Sequence, residues 1–183
     1  MPGPMYGMEW LLVLAMTADS SLPQLRIEER TEYYDVAAKD RPTLIEALRV
    51  PGTPPERYVN GQTNTVLEID RRFTQTPRGC VINALSIRLE LLVILPRWAP
   101  GAEMPRRLEQ DWNEIHDRIV THENKHKQNA LDAAFAMHDG YMAAVGKQDC
   151  RDVEKTLHRA QAAATNKQQL MDRLLDQKPV LVK

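Results

Sequence analysis

Residues Leu108–Met137 read LEQDWNEIHDRIVTHENKHKQNALDAAFAM. Leu108, Trp112, Ile115, Ile119, His122, His126, Ala130, Ala133 and Met137 recur at steps of three and four. That period places them on one continuous face of a long helix. Two members of the stripe are not apolar. His122 and His126 stand where the stripe would continue between Ile119 and Ala130, and Glu123 directly follows the first. Asn124 and Lys125 fall on the solvent side.

Histidines at i and i+4 project from the same side of a helix, so both can ligate one metal ion. The glutamate at i+1 points away from the axis they share. It can stay off the metal and accept a proton from metal-bound water, whose pKa the zinc ion lowers. The match HENKH alone carries little weight, and its context decides. Two imidazoles on a buried face have several nitrogens to satisfy. A metal does this well. The plain alternative is a hydrogen-bonded or half-exposed histidine pair at the edge of the core. The spacing and Glu123 favour Zn2+ held by His122 and His126, with Glu123 as the general base.

A catalytic zinc ordinarily takes three protein ligands and keeps one open position. Asp132 lies where the extended HExxHxxGxxH/D pattern puts a third ligand. Asn129 replaces the glycine, however, and an uninterrupted helix turns Asp132 away, so it reads as a surface acid. Glu154 and His158, one turn apart on a later helix, are the other candidates, against a surface Glu–His pair. His116 and His138 lie roughly 120° off the nearest site histidine by helical geometry.

Upstream of this helix the period is two. Arg26–Val36 has strand composition, with Thr31, Tyr33, Tyr34 and Val36. Arg41-Pro42-Thr43 opens a short helix that Pro51-Gly-Thr-Pro-Pro55 stops. Thr63–Phe73 alternates, Thr76-Pro-Arg-Gly79 is a turn signal, and Cys80–Leu95 is a long strand. Its face of Leu85, Ile87, Leu89, Leu91 and Val93 opposes Ser86, Arg88 and Glu90. These segments predict a hairpin within a small antiparallel sheet. Downstream, Gly140 bends or ends the long helix, and a second helix runs from about Asp149 or Asp152 to Asp176. The chain reads as a single α+β domain over 26–178.

The 183 residues suffice for one substantial core, and the net charge of −1 gives no basic excess for nucleic acid. Cys80 and Cys150 are the two cysteines, and neither belongs to a CxxC pair. A bridge between them, or two small buried thiols, are both open on sequence grounds, depending on compartment. Trp10–Met16 is apolar but too short to span a membrane. Residues 1–25 are expected to be an export signal or disordered leader, against an N-terminal strand, although no Lys or Arg precedes the run.

Tyr34-Asp-Val36, Cys80-Val-Ile, Leu95-Pro-Arg-Trp98, Trp112, HENKH and Cys150 occur in an order that resembles a bacterial family of predicted secreted zinc-dependent proteases, domain of unknown function 922. The resemblance covers roughly Glu32 to Asp176. It implies a zinc peptidase of the periplasm or cell exterior, and export in turn favours the Cys80–Cys150 bridge. Family members are expected to carry a YDxxTxHG-like tail after the last helix. Here Asp172 fits that tail, while Met171, Leu175 and Gln177 do not. The expectation is therefore a zincin-like α+β metallohydrolase acting on a peptide or protein substrate, with no stable membrane span. The alternative is a catalytically inactive relative with a structural or binding role in the envelope.

Overall fold

The central strand of the sheet is β3 (Gly79–Trp98), with β1 (Gln24–Val36) on one side and β2 (Gln62–Thr76) on the other. The computed structural model describes residues 24–54, 56, 58–77, 79–144 and 150–176. Along β3, Leu85, Ile87, Leu89, Leu91 and Val93 are buried, as the alternation predicts. On the opposite face the Arg88 guanidinium meets Glu28, Glu68 and Glu90, which suits a sheet surface open to water. β2 and β3 form the expected antiparallel hairpin, and the Thr76 hydroxyl closes its turn on the carbonyl of Gly79 at 2.8 Å.

The sheet is not purely antiparallel. β1 pairs with β3 in parallel, so the expected antiparallel sheet is corrected to a mixed one, of three strands among the described residues. Helix α1 (Arg41–Ala47) and the loop after it carry the chain over to β2, and β3 then returns between the two. Parallel neighbours need such a long crossover. Alternation in sequence assigns faces and contains nothing about strand direction.

Helix α2 (Arg106–Ala144) covers the inner face of the sheet, and α3 (Cys150–Asp176) returns antiparallel along it. Asn129 Nδ2 donates to the carbonyl of Ala164 at 3.0 Å and to Gln168 Oε1 at 2.9 Å, which sets the register. Gly140 does not end α2, which runs on to Ala144. A Cβ there would lie 2.5 Å from Cγ2 of Thr156, so the missing side chain lets α3 close in.

Two apolar clusters flank the middle of α2. One joins Leu85, Ile87, Leu89 and Leu91 to Ala130, Ala134, Met137, Tyr141, Val153 and Leu157. The other joins Tyr34, Val36, Leu44, Leu48 and Val50 to Trp112, Ile115 and Ile119. Cys80 and Cys150 form a disulfide that ties the start of β3 to the start of α3. Among the described residues no helix is long and apolar enough to cross a membrane. Of the expected leader, residues 1–23 lie outside the described residues, and Gln24 and Leu25 open β1.

Candidate metal centre

HENKH lies in the middle of α2, in the gap between the two apolar clusters. The imidazoles of His122 and His126 turn toward each other, with Nε2 to Nε2 at 2.9 Å and ring centroids 4.3 Å apart at 88°. The i,i+4 spacing accounts for this convergence. His126 is 4% exposed, whereas the His122 side chain keeps 22%.

Glu123 is buried more deeply than His122, at 3% exposure. At about 100° per residue it lies only about 40° around the helix from Ile119 and about 60° from His126. It thus continues the buried stripe that sequence reading assigned to His122. Its Oε1 is 3.8 Å from Nε2 of His122, and its Oε2 accepts the Thr63 hydroxyl at 2.8 Å.

Three residues outside the motif shape this spot. Thr63, the second residue of β2, lies beside Glu123. Gly61 precedes it, and a Cβ there would lie 2.6 Å from Cγ2 of Ile119 and 2.9 Å from Oε1 of Glu123. Tyr34, at the end of β1, directs its hydroxyl to the carbonyls of Leu48 at 2.6 Å and Asn60 at 2.7 Å. It straps the loop that leads to Gly61 against the core. Burial, then Tyr58, then the Glu123 charge push the Tyr34 phenol well above the usual tyrosine range. The hydroxyl therefore stays protonated as a donor. The turn dipeptide Asn60-Gly61 is a local signal that could have marked this loop. Nothing in the sequence marks Thr63.

The weaker candidates for a third ligand are engaged elsewhere. Asp132 accepts Gln128 Nε2 at 2.8 Å and lies 3.5 Å from Lys167 Nζ. Glu154 pairs with Arg71 at 2.5 Å and with His158 at 3.7 Å. The antiparallel register puts this part of α3 near Gly140, and α2 rises about 21 Å from His126 to that point. His116 stacks near Trp112 and Asp117. Among the described residues, no group of three or more His, Cys, Asp or Glu gathers that could hold a metal ion.

Two imidazole nitrogens are donors of the kind zinc takes, one short of the three protein ligands usual at a catalytic zinc. Zinc–nitrogen bonds of about 2.0–2.1 Å at tetrahedral angles hold two nitrogens about 3.4 Å apart. The two Nε2 atoms would have to open by about half an ångström.

A family model described as "Bacterial protein of unknown function (DUF922)" matches residues 31–179. The chain belongs to that family, and the stretch from Glu32 to Asp176 that resembled it lies inside the match. The chain matches no curated protein and no solved structure.

Proposed function

We propose that this member of the family is an exported zinc-dependent metallohydrolase of the peptidase type. One observation carries the reading. Two imidazole Nε2 atoms converge at 2.9 Å on the buried side of α2, and a buried carboxylate oxygen lies 3.8 Å from one of them. His122 and His126 would hold Zn2+. When bound, the ion supplies an acidified water and a Lewis acid for a carbonyl. Glu123 would act as the general base through Oε1, holding a proton there and returning it to the leaving amine. Among the described residues β2 is an edge strand, and its second residue, Thr63, lies beside Glu123. An extended peptide that adds to this edge would run past the site. The disulfide suits an oxidising compartment such as the periplasm or the exterior.

A second reading has its own support. Only two histidines converge, with no third ligand among the described residues, and the Met171–Lys178 stretch departs from the family tail. A non-catalytic envelope protein that retains the fold would have these features. Metal content by mass spectrometry, on the wild type beside a His122→Ala/His126→Ala variant, separates the two. Near-stoichiometric zinc that the variant loses supports the hydrolase. Absence of metal after zinc is offered to folded protein refutes it. Full peptidase activity in Glu123→Gln would refute the role given to Glu123.

A further inference from the structure

The two oxygens of the Glu123 carboxylate have different surroundings. Oε2 accepts the Thr63 hydroxyl at 2.8 Å, while Oε1 lies 3.8 Å from Nε2 of His122. The Thr63 hydroxyl is also 3.3 Å from the main-chain carbonyl of Glu123, so it sits against both ends of the residue. Gly61 backs the side chain as well, where a Cβ would meet Cγ of Glu123 at 3.0 Å. A glutamate on a helix surface samples several rotamers. Here one oxygen is tethered by a strand and the chain of the side chain is walled in by a glycine.

We infer that Thr63 is the positioning residue of Glu123, holding Oε2 so that Oε1 faces the histidine pair. This rests on the metal reading proposed above. Thr63 acts only through Glu123, and its link to the site comes from β2, 60 residues away in sequence. An equally buried glutamate without the tether could swing its carboxylate away from the imidazoles. A preoriented base is what a metal-bound water needs. The hydroxyl is the operative group, so serine should replace threonine and valine should not.

The test uses the full bridged chain loaded with Co2+ as a visible probe. Wild type, Thr63→Val and Thr63→Ser are compared by Co2+ bound per chain, by the Co2+ absorption spectrum, and by initial rates on a mixed quenched-fluorescence peptide library. The expected result is equal Co2+ uptake in all three. Thr63→Val then shows an altered spectrum and a rate loss of about 10- to 100-fold, the usual scale for groups behind a metal site. Thr63→Ser restores both. Should Thr63→Val fail to fold, Thr63→Ala removes the same hydroxyl and is judged by the same spectrum. A wild-type spectrum in the hydroxyl-free variant overturns the inference while leaving the metal reading standing. Equal impairment in the serine variant overturns it too. No Co2+ uptake by the wild type overturns the metal reading and this role with it.

Discussion

Reducing the Cys80–Cys150 bridge leaves every side chain in place and changes mainly the unfolded state. The bridge closes a loop of 70 residues. Chain entropy then assigns it about 4 kcal/mol of stability. The native contacts around it are independent of the bond. Val153 and Leu157 are 3% and 2% exposed and hold the first turns of α3 against Leu85, Ile87 and Leu89. The reduced protein is therefore expected to stay folded, with α2 and α3 still paired. Urea unfolding followed by circular dichroism, with and without reductant, measures the difference. With a slope of about 2 kcal/mol per molar urea, the midpoint should fall by about 2 M. The slope itself should rise on reduction, because the open chain exposes more surface. Coincident oxidised and reduced curves would refute the loop-closure reasoning. Two free thiols in native protein purified under oxidising conditions would refute the bridge itself.

Gly61→Ala places a methyl 2.6 Å from Ile119 and 2.9 Å from Glu123. It should cost about 1–3 kcal/mol in urea unfolding, the usual scale of overpacking, and a cost below about 0.5 kcal/mol would mean the loop yields freely. Tyr34→Phe removes the hydroxyl shared by the Leu48 and Asn60 carbonyls, for an expected loss of about 1–3 kcal/mol. Because burial raises the Tyr34 pKa in the folded state, its proton adds stability below the unfolded value of about 10, and this is lost as pH climbs toward the folded value. Absorbance at alkaline pH should show one fewer late-ionising tyrosine in the variant, and an unchanged titration would refute the assignment. Met137→Ala empties a fully buried position between α2, α3 and the sheet and should cost about 2–5 kcal/mol by thermal or urea unfolding.

The long helix was legible because its period is unambiguous over about eight turns from Leu108 to Met137, and β3 because its inward face from Leu85 to Val93 is purely aliphatic. The direction of β1 was not, since parallel and antiparallel partners read alike along one strand. That α2 continues past Gly140 was not legible for a related reason. A glycine late in a helix is a stop signal to local reasoning, but its role is set by Thr156 on another helix. The candidate site divides in the same way. His122, Glu123 and His126 belong to one local motif and could be found by spacing. Thr63, Gly61 and Tyr34 reach the site through tertiary contacts from two other strands and a loop, and no local pattern encodes that meeting.

Stability alone gives a poor account of what occupies the middle of α2. Glu123, His126 and Asn129 are buried there between two clusters that are otherwise apolar. Leucines in this belt would join the two clusters into one core, whereas burying a carboxylate costs several kcal/mol unless it is well partnered. Asn129 has a structural explanation, because its amide locks the register of α3 through Ala164 and Gln168. Glu123 bonds to Thr63 of β2, and His126 meets His122 of its own helix. Glu123 is held by a strand and directed at an imidazole, and His126 is turned onto the same imidazole. Replacing a buried charged group by a well-packed apolar one is often neutral or stabilising. An aliphatic substitution at Glu123 that preserves the fold should therefore raise the urea midpoint while abolishing whatever the histidine pair does. A fall in that midpoint would return Glu123 to a structural role and remove the main argument for chemistry at this belt.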